Sequence, residues 1–176
     1  MAGEEQGQNP QAGGGNGQDQ PPVVSNVQYT KDLSFEVPGA PEIFAKAQQT
    51  QPNINVNIDV RASQLQANVF EVVLQVNSEC KIGDATAFLV ELAYGGVFTL
   101  NVPPEHVQAV VLIECPRLLF PFARAIIADV TREGGFPPLI MGPVDFLGMY
   151  QQRLAEASAA AGQGGGSTPP APEADA

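Results

Sequence analysis

The sequence has few basic residues, and this shortage limits the partners it can bind. Lysine and arginine together number 8, whereas aspartate and glutamate number 19, so the formal net charge at pH 7 is −11. Nucleic-acid phosphates are bound by clusters of lysine and arginine, which this composition does not provide. We therefore expect no nucleic-acid partner. The excess of acidic residues favours binding to basic partners, or serves solubility alone.

Histidine and cysteine are nearly absent, which argues against an enzyme or a metal protein. Cys80 and Cys115 lie far apart and form neither a CxxC pair nor a cysteine–histidine cluster, so we interpret both as reduced structural thiols. The one histidine, His106, falls at the start of a predicted helix, and local spacing pairs no serine or cysteine nucleophile with it. We predict no enzymatic activity, no cofactor and no metal ion.

Long apolar runs are missing as well. None reaches the roughly 20 residues needed to cross a bilayer, and the N-terminus lacks the basic-then-apolar order of a signal peptide. Residues 1–22 and 157–176 consist mainly of Gly, Gln, Ala and Pro with little to bury, so we predict disordered tails. We expect a cytosolic protein, not inserted in a membrane, with one folded domain over residues 23–156.

The clearest strand lies in the stretch YTKDLSFEVPGAPEIF, residues 29–44. Apolar side chains fill the odd positions and polar ones the even positions, with Lys31 the exception, and this period of two predicts a half-buried strand. Asp32 and Glu36 should therefore share the exposed face. The odd positions, which should face the core, are Val27, Tyr29, Leu33, Phe35 and Val37.

The residues after this strand predict a crossing connection and then more sheet. Prolines and a glycine end the strand, and Ile43 and Phe44 follow in an apolar segment that suggests a groove. Alternating runs over residues 53–61, 69–77 and 87–94 are separated by polar turns. We predict a four-stranded antiparallel sheet in meander order.

The fourth strand has a phase that matters for function. If Phe88, Val90, Leu92 and Tyr94 face the core, Leu89 and Glu91 point to the same side as Asp32 and Glu36. Alternation alone does not separate a contact residue from an ordinary exposed leucine, and the ordinary case is the more common. The glycine pair at 95–96 lacks the partners of a phosphate loop, so we interpret it as a β-bulge.

The period changes to three and four beyond Pro104, which predicts an amphipathic helix to about residue 133, bent or broken near the prolines of CPRLLFP. A second helix is predicted over residues 143–157. The fold class is therefore α+β, with one antiparallel sheet followed by two helices on one of its faces. The long helix is apolar around more of its circumference than one sheet face can cover, so we predict a homo-oligomer assembled through the helices.

Five sequence blocks, in order, are specific enough to carry a family resemblance. They are YTKDLSFEVPGAP, FEVVLQV, ELAYGGVF, CPRLLFPFAR and GGFPPLIMGPVDFLGMYQQRL. Together they cover about residues 29–154, and the sequence resembles the SecB family of bacterial protein-export chaperones. The resemblance implies a cytosolic homotetramer, a dimer of dimers, that holds secretory precursors unfolded. It also implies delivery of these precursors to the export motor ATPase SecA without use of ATP by the chaperone itself.

The resemblance further implies two sites. The family docks SecA on its acidic outer sheet face, at positions that match Asp32, Glu36, Leu89 and Glu91. Strand alternation independently places these four outward. Family members bind extended aromatic and basic client segments in an apolar channel, at positions that match Ile43, Phe44, Val97, Phe98, Phe136 and Leu139. Residues 46–52 depart from the family pattern, since an aromatic residue common there is missing.

Two other interpretations stay open. A SecB-like chaperone dedicated to one toxin–antitoxin pair would share the fold but serve a single client. An acidic scaffold or binding protein, or a small hydrolase that uses His106, would belong to a different class. A general chaperone should suppress the aggregation of several unrelated precursors, whereas a dedicated one should not. A loss of client holding on replacing His106 would favour a role for that residue.

Overall fold

The computed structural model describes residues 20–163, in which a four-stranded antiparallel sheet carries helices on one face. This architecture confirms the predicted α+β fold class. The elements in chain order are β1 (Val23–Glu36), α1 (Glu42–Ala47), β2 (Pro52–Gln66), β3 (Val69–Ile82), β4 (Ala85–Leu100), α2 (Pro104–Ala109), a π-helical turn (Val110–Glu114), α3 (Cys115–Glu133) and α4 (Phe146–Gln163).

The bounds of α4 correct the predicted second helix and tail. The helix begins at Phe146 rather than Pro143, because the Asp145 carboxylate accepts the Gly148 backbone N–H at 2.9 Å and caps the first turn. It continues to Gln163 through an alanine-rich run with high helix propensity, so residues 157–163 are helical rather than a disordered tail. Residues 20–22 of the predicted N-terminal tail are described, and the Pro22 carbonyl accepts the Asn101 N–H at 2.9 Å. Residues 1–19 and 164–176 of the two predicted tails lie outside the described residues.

The strand order is β1-β4-β3-β2, which corrects the predicted meander. β2, β3 and β4 are joined by hairpins, but β1 pairs with β4 at the far edge. The crossing connection that contains α1 carries the chain from one edge of the sheet to the other. The result is a Greek-key arrangement in which β4, the strand with the predicted docking residues, has a neighbour on both sides.

The hairpins are tighter than the sequence predicts. β2 runs to Gln66 and β3 to Ile82, so the polar stretches taken as turns are strand ends. Two-residue connections remain, and they need a left-handed backbone, which Asn68 supplies at φ 62° and Gly83 at φ 61°. Longer strands extend the outer face of the sheet beyond the predicted limits.

The alternation of β1 is broken by two bulges, after Ser25 and after Thr30. Each bulge adds one residue to β1 and shifts the following side chains to the other face. Val27 and Tyr29 therefore lie on the outer face, against the prediction, and Val27 is 50% exposed. Beyond the second bulge, at Lys31, the predicted phase is restored.

The glycine pair in β4 is not a bulge, because the pairing with β3 and β1 continues through it without a register shift. Each glycine instead makes room on one face. A Cβ on Gly95 would lie 3.0 Å from the Tyr29 ring on the outer face, and a Cβ on Gly96 would lie 2.8 Å from Leu119 of α3 on the inner face. Side chains therefore pack closely against the glycine pair on both faces of the sheet.

The helical layer packs on the inner face, where Leu119, Ala123 and Ile127 of α3 are fully buried. The predicted bend takes the form of the π-helical turn that ends just before Cys115. Pro116 has no N–H to continue the regular ladder, and this accounts for the irregular turn ahead of it. Pro121 is accommodated inside α3.

Candidate functional site: an acidic sheet face and an apolar groove

The outer face of the sheet brings the four predicted docking residues together and adds a fifth. Because β4 lies between β1 and β3, Leu89 is paired with Glu36 on one side and with Glu79 on the other. Glu91 and Asp32 occupy the next two rows, on β4 and β1. The acidic patch consists of Asp32, Glu36, Glu79, Leu89 and Glu91.

Most of the charge on this patch is not neutralised by the chain itself. Among the residues of 20–163, no lysine or arginine forms an ion pair with Asp32, Glu36 or Glu91, whereas Lys81 lies 3.3 Å from Glu79. Glu91 is the diagonal cross-strand neighbour of Asp32, Glu36 and Glu79, and such neighbours are about 7–8 Å apart, within the Debye length of about 8 Å. The negative charges therefore reinforce one another around the half-buried Leu89, and the patch favours a basic partner with an apolar contact.

Glu79 was missed because its stretch was interpreted as a turn. The signal was present in the sequence, since the even positions of β3 beyond Val76 are apolar again at Cys80 and Ile82, with only Ser78 polar between them. An alternation followed to its end places Glu79 on the outer face, in the same set as Glu71.

Beside the acidic patch, Tyr29, Lys31 and Glu71 form a hydrogen-bonded cluster on the outer face. Lys31 Nζ lies 2.7 Å from Glu71 Oε1 and 2.9 Å from Oε2, and the Tyr29 hydroxyl donates to Oε1. Hydrogen bonds from Lys31 and then Tyr29 lower the pKa of Glu71. The hydrogen bond to Glu71, with burial, raises the pKa of Tyr29 to about 12. This carboxylate is satisfied locally and adds little free charge to the patch.

An apolar groove opens on the inner side, between the crossing connection and the chain that follows α3, with a volume of about 360 Å³. The Phe136 ring contacts both Phe44 and Phe88, with centroids 5.2 Å and 5.1 Å away. Aromatic packing of this kind makes one rigid wall. The other large apolar residues that line the groove are Ile54, Ile82, Leu139 and Ile140, with Pro137 and Pro138.

The structure brings three of the six predicted groove residues to this place. Phe136 and Leu139 line the groove, and Phe44 supports Phe136 from behind. Ile43 is only 1% exposed and belongs to the core beneath.

The other two predicted residues lie elsewhere on β4. Phe98 is fully buried next to Gly96, under α3. Val97, its neighbour in the strand, faces the opposite side and pairs with Val27 and Glu71 on the outer face. Strand alternation prevents adjacent residues from lining one groove.

Sequence reasoning missed Ile54, Ile82 and Ile140 as lining residues. Ile54 lies at an apolar position of a predicted strand and Ile82 in a stretch interpreted as a turn, and the sequence does not say which part of the inner face the helices leave uncovered. Ala47 and Pro52 also line the groove, so the stretch that departs from the family pattern contributes to its wall.

The cysteines and the histidine form no chemical centre in the described part of the chain. Both cysteines are buried free thiols, and burial, with the Glu114 carboxylate, raises the pKa of Cys115 to about 12, which suppresses the reactive thiolate. No group of three histidine, cysteine, aspartate or glutamate side chains within residues 20–163 is placed to hold a metal ion. His106 is exposed in α2.

The fold and the two surfaces define a two-layer α+β protein with one sheet face left open and an apolar groove on the other side. The sequence pattern of the family described as preprotein translocase subunit SecB matches residues 16–157. A protein-export protein SecB from Paramagnetospirillum magneticum is 51% identical over 146 residues, which cover 83% of this chain and 94% of that protein. Another, from Granulibacter bethesdensis, is 54% identical over 156 residues, 84% and 86% of the two chains. The chain belongs to the SecB family of protein-export chaperones, as the resemblance predicted.

A solved structure has the same fold. It is a SecB-like chaperone of Mycobacterium tuberculosis in complex with a peptide from an antitoxin, with a TM-score of 0.58 and 13% identity over 70% of this chain and 91% of that one. At this identity the likeness concerns the fold alone. Over residues 20–163, no helix has both the length and the apolar character required to cross a membrane.

Proposed function

We propose that this protein is an ATP-independent export chaperone that holds unfolded secretory precursors in the apolar groove and delivers them to SecA at the acidic patch. The observation that carries the proposal is the position of Leu89, an apolar side chain set among the exposed carboxylates of Asp32, Glu36 and Glu91. Membership of the SecB family supports the role in export. Two surfaces on opposite faces of one sheet allow holding and delivery to occur on the same subunit.

The groove suits extended apolar segments of a precursor. Its walls are aromatic and aliphatic, so burying such a segment gains about 25 cal/mol per Å² of apolar area removed from water. A groove of about 360 Å³ accepts only a few side chains, so each contact is weak and reversible. When several grooves engage one long chain, the first contact raises the effective concentration of the chain at the other grooves, so the overall affinity is higher than that of any single groove. Holding therefore needs no ATP, and release requires only that SecA competes for the client.

We further propose that the protein works in the cytosol as a homotetramer, a dimer of dimers. Large apolar side chains that one subunit leaves in water support association, namely Leu118 and Phe122 on α3 and Val27 and Leu33 on β1. A tetramer would also multiply the grooves available to one client. The mass in solution tests this part of the proposal, and a monomer at micromolar concentration would contradict it.

A second candidate function is service to a single toxin–antitoxin pair. A fold neighbour from Mycobacterium tuberculosis was solved with an antitoxin peptide, which shows that this fold can hold such a peptide. The two functions differ in client range. A general export chaperone suppresses the aggregation of several unrelated unfolded precursors, whereas a dedicated chaperone protects one.

Charge reversal at Glu91 tests the docking surface. Glu91→Lys should weaken SecA binding by about tenfold at low salt, because one attraction is replaced by one repulsion and each surface pair contributes about 0.2–1 kcal/mol. Binding is measured by titration with SecA at low and at high salt, where screening should reduce the difference.

The matched control is Glu105→Lys, which makes the same charge change at an exposed position of α2, away from the outer face. The control should bind SecA nearly as the wild type does, and both variants should keep their mass and their client holding. Wild-type affinity of Glu91→Lys for SecA at low salt would refute the docking proposal.

A further inference from the structure

One wall of the apolar groove is a short segment with almost no backbone donors. Residues 136–139 have the sequence Phe-Pro-Pro-Leu, and proline has no N–H, so only Phe136 and Leu139 can donate a main-chain hydrogen bond there. The segment belongs to no helix or strand. Its main chain is therefore held against the groove by very few hydrogen bonds.

Both of these donors bond to one residue, Thr131, in the last turns of α3. The Phe136 N–H donates to the Thr131 carbonyl at 3.1 Å, and the Leu139 N–H donates to the Thr131 hydroxyl oxygen at 2.9 Å. The hydroxyl in turn donates to the Ile127 carbonyl at 2.9 Å, with the Ala128 carbonyl at 3.1 Å.

The environment of Thr131 makes this arrangement costly to lose. Thr131 is 0% exposed, and no water can replace its hydroxyl without opening the wall. The hydrogen bond from the Leu139 N–H is part-buried, so without the hydroxyl this N–H would carry part of the cost of its desolvation. The hydroxyl thus holds the end of the segment that presents Leu139 to the groove.

We propose that the Thr131 hydroxyl is a positioning group for client binding: it fixes the groove wall of residues 136–139 so that Phe136 and Leu139 present a preformed apolar surface to the client. The inference rests on the proposed function of the groove. A wall that is fixed before binding spares the client the entropy of ordering it, and this raises affinity without any contact between Thr131 and the client.

Three variants test the proposal. Thr131→Val keeps the shape and removes the hydroxyl, Thr131→Ser keeps the hydroxyl and removes a methyl group, and Ser158→Ala removes an exposed hydroxyl that bonds the Leu154 carbonyl in α4, as a control. The probe is a fluorescein-labelled extended peptide with alternating aromatic and basic residues, titrated against the full-length protein. Amide hydrogen exchange at Leu139 and Phe136 is measured in the free protein.

The expected result separates the hydroxyl from packing. Thr131→Val should bind the peptide about tenfold more weakly and exchange the Leu139 amide faster, while the Phe136 amide, bonded to a main-chain carbonyl, stays protected. Thr131→Ser and Ser158→Ala should behave as the wild type in both measurements.

Two results would overturn the proposal. One is wild-type affinity in Thr131→Val, and the other is equal weakening in Thr131→Val and Thr131→Ser, which would assign the effect to the methyl group. If the wild type itself fails to bind the peptide, the proposed function of the groove fails. The exchange at Leu139 then still decides whether the hydroxyl positions the wall, since equal exchange in all variants would refute it.

Discussion

Removing the Tyr29 hydroxyl tests the bulged register of β1, which the sequence did not predict. Only in that register does Tyr29 lie on the outer face, with its ring over Gly95 and its hydroxyl on the Glu71 carboxylate. Had Tyr29 faced the core with Leu33 and Phe35, the hydroxyl could not reach Glu71. Tyr29→Phe keeps the ring and removes this bond alone.

The expected cost of Tyr29→Phe is about 1.5–2 kcal/mol in the free energy of unfolding at pH 7. Hydrogen bonds to charged groups contribute about 1.5–3 kcal/mol. We take the lower part of this range because Lys31, which is 49% exposed, also donates to Glu71 and keeps part of its side chain satisfied. The Glu71 side chain is 17% exposed, so water replaces the lost hydroxyl only in part.

The pH dependence follows from the two pKa shifts. The pKa of Glu71 is lowered in the folded protein, so its stabilisation is present above the unfolded pKa of about 4.3 and is lost as the pH falls through the folded pKa. The pKa of Tyr29 is raised from 10.0 to about 12, so its stabilisation is present below the unfolded pKa and is lost as the pH rises toward 12. The cost of Tyr29→Phe should be constant between about pH 5 and 10 and shrink on both sides.

Urea unfolding followed by far-ultraviolet circular dichroism measures the cost, since the chain has no tryptophan. Protein concentration is held fixed because association would contribute to stability. A double-mutant cycle of Tyr29→Phe, Glu71→Gln and the double variant measures the coupling free energy between Tyr29 and Glu71. Equal stability of Tyr29→Phe and wild type at pH 7, or a cycle without coupling, would refute the assigned register and the ionised partner.

Two further substitutions test the packing that holds the surfaces in place. Gly96→Ala should lower the free energy of unfolding by about 1–3 kcal/mol, because its Cβ would lie 2.8 Å from Leu119 Cδ2. The control is Gly142→Ala, which has open space around it. Both variants are compared in thermal unfolding, and equal midpoints would contradict the expectation. Arg153→Met should speed amide exchange along α4, since Arg153 Nη1 donates to the Val60 carbonyl of β2 at 2.8 Å; unchanged exchange would show that other contacts hold the helix.

The central strands were predictable because their inner sides are buried along most of their length. Val72, Leu74 and Val76 of β3 are all 0% exposed, and their occurrence at every second position identifies the buried face of the strand. The same holds for β4, so the outward direction of Leu89 and Glu91 followed from the residues alone. The acidic patch was therefore largely visible in the sequence, apart from Glu79 at an underestimated strand end.

The edge strand and the groove depend on contacts between distant parts of the chain. The bulge at Lys31 is set by pairing with Ala93 and Tyr94 of β4, more than 60 residues away, and the one local sign was a lysine at an apolar position. The strand order likewise depends on where the crossing connection packs. The groove is lined by residues of α1, β2, β3, the start of β4 and the chain after α3. Alternation alone excludes Val97 and Phe98 from lining it together, but no local pattern shows that the groove lies at the start of β4 rather than at its end.

The two surfaces meet in β4, where consecutive residues serve opposite faces. Phe88 lines the apolar groove and Leu89 lies in the acidic patch, so a single layer of backbone separates the two surfaces. Under the proposed function, a partner docked on the outer face would not block the groove sterically. Because β4 is paired along both edges, the groove cannot widen by a shift of this strand without breaking hydrogen bonds on two sides. The wall of residues 136–139 is fixed to α3 by the two hydrogen bonds to Thr131, so the groove is preformed on both sides.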